Sequence, residues 1–262
     1  MQVHIVSLFP EYFHGPFDCG PTRVAREKGM LAVEVTNPRD FTDDHHRTAD
    51  DYPFGGGSGM VLKPEPIFLA VESIRRPNSR VILLSPQGRL FDQKTAREFS
   101  LMDHLVLICG RYKGVDERVR LSLVDDEVSL GDYILAGGEV AACAIVESVA
   151  RLLPGAVEHS DSVDTDSFEC SPARWTPGIL DAPYYTRPRE FRGMAAPEVL
   201  FSGDHAAVSR WRRNQALLAT ARRRPELLRD EVLTCTERDF LLSELNTMSS
   251  GKETGNGQEE RD

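Results

Sequence analysis

The apolar positions of the chain follow two rhythms. Short β-branched runs at Val3 to Leu8, Leu31 to Thr36, Arg80 to Ser85 and Leu105 to Cys109 are bounded by turn residues, and they predict buried strands. Between and after them the apolar residues recur at helical spacing. Pro66 to Ile74 reads as a helix, Asp92 caps another that runs to Leu101, and Val140 to Leu153 is a third, closed by Pro154-Gly155. Strands alternating with helices predict an α/β fold with a mostly parallel sheet covered on both faces. Glu158 to Gly178, rich in Asp, Ser, Pro and Thr, reads as a flexible linker with little drive to pack. Beyond it, Asp204 caps a helix through Ala221, with Val208, Trp211 and Leu218 on one side and Arg210 and Arg213 on the other. A last helix is predicted over Glu237 to Leu245. The expected division is an α/β domain over residues 1–160, a linker over 161–178, a small helical domain over 179–246 and a disordered tail over 247–262.

Charge changes this picture locally. The 262-residue chain carries a net charge of -10, which argues against nucleic acid as a partner for the molecule as a whole. Residues 187–229 reverse the sign, with ten arginines against four acids, Glu190, Glu198, Asp204 and Glu226. The five cysteines are odd in number and form no C-x-x-C pair, so reduced thiols and a cytoplasmic setting are expected, with no metal site. The N-terminus lacks the pattern of a signal peptide, and no apolar run is long enough for a membrane span.

Three loops stand where an open α/β sheet collects its ligands, outside the carboxyl ends of its strands. Ser85-Pro86-Gln87-Gly88 follows one strand and Gly110-Arg111-Tyr112 follows another. The third, Ser129 to Glu139, interleaves Gly131, Gly137 and Gly138 with Leu130, Tyr133, Ile134 and Leu135, so its backbone can meet a purine edge while its apolar side chains pack on the ring. Any one of these is an ordinary strand-to-helix turn; three together predict a pocket. A fourth glycine cluster, Gly55 to Met60, matches neither a P-loop nor a dinucleotide fingerprint. Arg151, in a last helical turn, and Asp166, in the linker, read on their own as a dipole partner and a solvated carboxylate.

In order along the chain, Ile5 to Pro10, Pro38 to Phe41, His46 to Thr48, the Gly55 to Met60 loop, Leu84 to Gly88, Gly110 to Tyr112, Asp116 to Arg118, Gly131 to Tyr133, Gly137 to Glu139, Asp166 to Phe168, Tyr185 to Pro188 and Arg223 to Leu228 resemble the bacterial tRNA (guanine-N1)-methyltransferases, the TrmD family of the SPOUT class. The resemblance implies a C-terminal trefoil knot in the α/β domain and an obligate homodimer that shares its active site. It implies S-adenosylmethionine bound by Pro86, Gly110, Arg111, Leu130, Gly131, Asp132, Tyr133, Ile134, Leu135, Gly137 and Gly138, and it leaves open whether Mg²⁺ assists. It implies transfer to the guanine 3′ of the anticodon, with Asp166 as general base and Arg151 as its partner. Arg187, His205, Arg210 and Arg213 would meet the tRNA. The chain departs from the family pattern at Lys113, where the family carries Glu, and in the length of Glu169 to Gly178. Two other readings stay open: a 2′-O-ribose methyltransferase of the same class, and a non-catalytic RNA-binding module. The second accounts for the arginines and leaves the three loops unexplained. An NAD- or nucleotide-dependent enzyme is disfavoured by the missing fingerprints.

Overall fold

The computed structural model describes residues 1–157, 166–169, 178–228 and 233–253. The chain forms two compact units, Met1–Val163 and Asp164–Asp262.

The first unit carries strands β1 (Gln2–Val6), β2 (Ala32–Thr36), β3 (Asp50–Asp51), β4 (Val61–Leu62), β5 (Ser79–Leu90), β6 (His104–Cys109) and β7 (Asp126–Ser129). Its helices are α1 (Gly20–Glu27), α2 (Pro64–Ile74), α3 (Gln93–Ser100), α4 (Glu117–Leu123) and α5 (Glu139–Ala150). Five strands make one sheet in the order β2-β1-β6-β5-β7, parallel throughout. Alternation along β6 explains the layers. Leu105, Leu107 and Cys109 point to one face, where Phe99 of α3 and Ile145, Val146 and Val149 of α5 cover them. Val106 and Ile108 point to the other, against Ile67 and Val71 of α2 and Val119 of α4. A strand buried on both faces has no polar alternation, which is why these runs are legible as continuous apolar segments. The predicted α/β architecture stands. β7 was not predicted: Asp125-Asp126-Glu127 looks like a solvated turn, yet an edge strand tolerates acids on its open side.

The second unit holds a short hairpin, β8 (Glu190–Phe191) with β9 (Met194–Ala195), and two helices, α6 (His205–Arg223) and α7 (Cys235–Glu253). Ile179, Ala182, Ala216, Leu217, Leu218 and Leu241 form its core. Asp204 caps α6 as expected, its carboxylate accepting from the Ala206 and Ala207 amides at 2.9 and 3.0 Å. The final helix extends to Glu253, so the predicted tail begins inside it; once a helix is nucleated, each added residue gains a backbone bond, and this outweighs the weak formers Ser249 and Gly251. Residues 254–262 lie outside the described ones. Residues 166–169, predicted to lie in a flexible linker, are fastened: the Phe168 amide donates to the Ile179 carbonyl (2.9 Å), the Gly178 amide to Glu169 (2.9 Å) and the Asp181 amide to Ser167 Oγ (2.9 Å). Among the described residues, no helix is long and apolar enough to cross a membrane.

At the amino ends of the central strands two histidines are buried together. The Arg76 amide donates to Ser79 Oγ (2.6 Å), which directs the hydroxyl proton to His104 Nδ1 (2.6 Å). His104 Nε2 lies 2.8 Å from His4 Nδ1, and His4 Nε2 lies 3.1 Å from the Glu34 carboxylate. These contacts give every ring nitrogen of the pair a partner. Burial lowers the His104 pKa, with the neighbouring His4 and Arg76 adding to the effect and Glu34 opposing it. A depressed folded-state value means that the unfolded chain binds the proton first. Its stabilisation is therefore complete above the unfolded value of about 6.5 and is lost as pH falls below it. Urea denaturation at pH 7.5, 6.5 and 5.5 should show falling stability in the wild type and a flatter profile for His104→Gln. Parallel profiles would contradict this assignment.

Candidate active site

The site begins with an interruption in β5. Leu84 and Arg89 both lie opposite Val128 of β7, so the four residues between them are extruded from the ladder. Gly88 makes the return possible: a Cβ there would overlap the backbone of Glu127 and Val128. Ser85 Oγ donates to Glu127 Oε1 (2.6 Å) and accepts from the Gln87 amide (3.0 Å), which shapes the extruded loop.

The second wall follows β6. The Gly138 amide donates to the Gly110 carbonyl at 3.0 Å, and Arg111 forms a bridge with Gly137. This approach needs both glycines. A Cβ on Gly138 would sit 2.8 Å from Cys109 Cα, and one on Gly137 would run into the Arg111 guanidinium and the Glu139 carboxylate. Tyr112 adopts φ 59, a left-handed conformation that costs a non-glycine residue about 1–3 kcal/mol. The third wall is residues 129–138, where Ser129 Oγ lies 3.2 Å from both the amide and the carbonyl of Gly131.

Together the loops enclose a cavity of about 490 Å³ at the carboxyl ends of β5, β6 and β7. Every residue predicted to bind the cofactor lines it except Asp132. The Gly131 carbonyl accepts from the Tyr133 amide (2.9 Å), and this tight turn leaves Asp132 exposed. Gln87, Tyr112 and Lys113, which the residue-level prediction did not assign, also line the cavity. Lys113 lays its methylene stem against Gly59, so the Gly55 to Met60 cluster borders the site.

The electrostatic centre is Glu139, the first residue of α5 and only 1% exposed. Ser7, just beyond β1, donates to Glu139 Oε1 at 2.7 Å. Arg111 Nε lies 3.0 Å from Oε2, in ion contact but out of line for a hydrogen bond. The Arg111 guanidinium carbon sits 4.4 Å from the Phe9 ring centroid. Burial, reinforced by the Glu139 charge, pushes the Cys109 thiol well up, and it pushes that of Cys143 to about 11. Both thiols stay protonated at neutral pH and are not nucleophiles. On the opposite wall Glu117 and Glu127 are both ion-paired with Arg120.

The other predicted site residues lie elsewhere. Arg151 is the C-cap of α5, its amide donating to the Glu147 carbonyl at 3.3 Å. Asp166 belongs to the second unit, half-buried, its carbonyl accepting from the Glu169 amide at 3.3 Å. Arg187, His205 and Arg210 are exposed, as a phosphate-binding role requires. Arg213 is not. Its side chain is buried and its Nε donates to Glu237 at 2.7 Å. It precedes the buried Leu217 by one helical turn and so shares the core-facing side of α6. The expected apolar side of Val208, Trp211 and Leu218 misplaced it because Val208 and Trp211 are only partly buried, Trp211 beside Tyr185, while Arg213, Ala216, Leu217 and Thr220 face the core.

Comparison with known proteins follows the same residues. The family model described as tRNA (Guanine-1)-methyltransferase TrmD matches residues 1–230. A tRNA (guanine-N(1)-)-methyltransferase of Dictyoglomus turgidum is 52% identical over 241 residues, spanning 92% of this chain and 95% of the relative. Proteins of the same name from Carboxydothermus hydrogenoformans and Listeria innocua are 50% and 47% identical, with 92% of this chain covered in each case and 92% and 97% of the relatives.

The buried contact at Glu139 has a measurable consequence. Glu139→Ala leaves Arg111 beside an emptied site, and breaking a buried pair in this way costs about 3–5 kcal/mol. Ser7→Ala leaves the ion contact in place and should cost less, about 1.5–3 kcal/mol, the range for a hydrogen bond to a charged group. Urea denaturation checks both. A loss at Glu139 no larger than that at Ser7 would mean that the pair does not hold the site together.

Proposed function

Because the chain belongs to the tRNA (guanine-1)-methyltransferase family, and so methylates N1 of a guanine in tRNA, we propose that its first-unit cavity holds S-adenosylmethionine and that the target is the guanine 3′ of the anticodon. The observation that carries this reading is the convergence of three glycine-bearing loops on one cavity at the carboxyl ends of parallel strands. The residues present fit the donor. Gly137 and Gly138 let the third loop close against Arg111 and Cys109, where any Cβ would collide, Leu130, Ile134 and Leu135 offer an apolar lining for a purine, and backbone amides supply its edge contacts. S-adenosylmethionine brings a methyl group on a sulfonium, already electrophilic.

The acceptor is the harder partner, since guanine N1 carries a proton at neutral pH. Asp166 is the proposed general base: its carboxylate takes the N1 proton, and burial beneath the RNA raises the proton affinity of such a group above that of a free carboxylate. Charge then builds on O6, where the Arg151 guanidinium opposes it. Arg187, His205 and Arg210 are the proposed phosphate contacts, supported by their exposure.

Asp166 and Arg151 lie in different units, and we read them as meeting across the interface of a homodimer, with the SPOUT trefoil knot in the first unit. Exposed Tyr112, Tyr133 and Val140 and the 81% exposed Ile134, at or beside the cavity, support such an interface. The domain limits proposed remain 1–160 for the methyltransferase domain and 179–246 for the tRNA-binding domain. Among the described residues, Cys19, Cys109, Cys143 and Cys235 are free thiols, in keeping with a reducing cytoplasm.

Labelled methyl transfer to unmodified tRNA, followed by nucleoside analysis, tests the reaction. 1-Methylguanosine at the position 3′ of the anticodon is expected, and a 2′-O-methylated nucleoside would replace this reading with the other SPOUT activity. Asp166→Ala should lower turnover about 10²–10⁴-fold while S-adenosylmethionine still binds. Turnover within threefold of wild type removes Asp166 from the mechanism. Mixing inactive Asp166→Ala and Arg151→Ala chains should restore part of the activity, and a monomer in sedimentation would contradict the shared site.

A further inference from the structure

The second unit contains another cavity, of about 520 Å³, that the methyl-transfer chemistry does not use. Its floor is apolar, formed by Ala196, Leu200 and Val208. Three aromatic residues line its walls, Tyr184, Tyr185 and Phe201; Tyr185 also meets Trp211, and Tyr184 and Phe201 are still 64% and 48% exposed. Arginines surround them: the Arg212 guanidinium lies 5.6 Å from the Tyr184 ring centroid, and that of Arg189 lies 4.2 Å from the Phe201 centroid. Arg187 completes the rim, and the lining includes no acid. Glu198, outside the lining, pairs with Arg189.

An apolar floor, exposed ring faces and unbalanced guanidiniums select one chemistry, a flat aromatic group joined to an anion. An unstacked nucleotide is such a group. We propose that this cavity receives a single nucleotide of the tRNA near the target guanine, its base stacked on Tyr184 and Phe201 and its phosphate held by Arg212 and Arg187. The proposal rests on the tRNA methylation reading and adds a gripping site to it.

The chain's own connections say which nucleotide. The Asp181 amide is hydrogen-bonded to Ser167, the neighbour of Asp166, and Asp181 Oδ2 accepts from the Tyr184 hydroxyl at 2.8 Å. Pro183, the first residue of the cavity lining, is two residues beyond Asp181, at most about 7 Å of extended chain. The Leu180 amide, on the same strap, donates to Thr220 Oγ1 of α6 at 3.0 Å. The segment bearing the proposed base and the wall of the second cavity are thus one hydrogen-bonded piece. A nucleotide held in the cavity fixes the RNA close to Asp166, which is a positioning effect on the guanine and not a contact with it.

The test uses the full-length protein and labelled anticodon stem–loop RNAs in which each loop nucleotide in turn is replaced by an abasic residue. Wild type should bind one of the RNAs with an abasic site near the target guanine about 5- to 150-fold more weakly than the intact RNA. Phe201→Ala and Tyr184→Ala should bind the intact RNA more weakly by a similar factor and should no longer distinguish that abasic RNA from it. Tyr184→Phe, which keeps the ring, should retain both affinity and discrimination. Arg212→Gln should weaken binding and flatten its log–log salt dependence by about 0.7. Affinity for S-adenosylmethionine, bound in the first unit, should be unchanged in every variant, and circular dichroism and the urea midpoint of the second unit should match wild type.

The proposal is overturned if the ring variants bind intact RNA as wild type does, or if they weaken every abasic RNA by the same factor. It is also overturned if only Arg212→Gln matters, since the surface then meets backbone phosphate alone. Failure of wild type to make 1-methylguanosine would instead overturn the reaction on which the proposal rests.

Discussion

The buried carboxylate of Glu139 is the contact on which the shape of the site depends. It draws together the end of β1 through Ser7, the turn after β6 through Arg111 and the start of α5. A carboxylate with almost no exposure is costly to bury, and only partners on both oxygens offset that cost. The rest follows sterically. Arg111 must reach inward past Gly137, so position 137 admits no side chain, and Gly138 must lie against Cys109 for its amide to bond Gly110. Phe9 covers the outer face of the guanidinium. Gly137 and Gly138 are therefore required by the protein's own packing, which brings the third loop against the turn after β6.

The extruded turn of β5 supplies the opposing wall by a different device. A strand that leaves its ladder and rejoins it opposite the same partner residue must lose bonds in between, and here Ser85 makes good part of the loss through Glu127 and the Gln87 amide. The result is a cavity rimmed by backbone groups, in which Arg111 is committed to Glu139 and Arg120 to Glu117 and Glu127, while Lys113 adds a cation at the wall. Such a surface suits a ligand whose purine needs backbone contacts. The excess of arginine is concentrated in the other unit, around α6 and the hairpin before it.

Much of this was legible in the sequence, and the failures share a cause. The central strands were readable because burial on both faces leaves uninterrupted apolar runs, and the caps at Asp92 and Asp204 marked helix starts. β7 was hidden because an edge strand need not be apolar. Arg213 was placed on the wrong face because an ion pair with Glu237, 24 residues away, lets a charged residue occupy a core position, and periodicity carries no information about that partner. Asp132 was counted with its neighbours because a motif does not say which way a tight turn directs each side chain. The cavity of the second unit escaped notice for the same reason, although the interleaving of Tyr184 and Tyr185 with Arg187 and Arg189 was a signal that could have pointed to it.

The central claim is that three loops, separated in sequence and joined through Glu139, act as one ligand site. Hydrogen exchange measured with and without S-adenosylmethionine addresses it most directly, since a ligand that bridges the loops must slow their local opening together. The account predicts added protection at the amides of 85–88, 110–113 and 130–138, with little change in the second unit. Protection confined to one loop, or found away from all three, would contradict it.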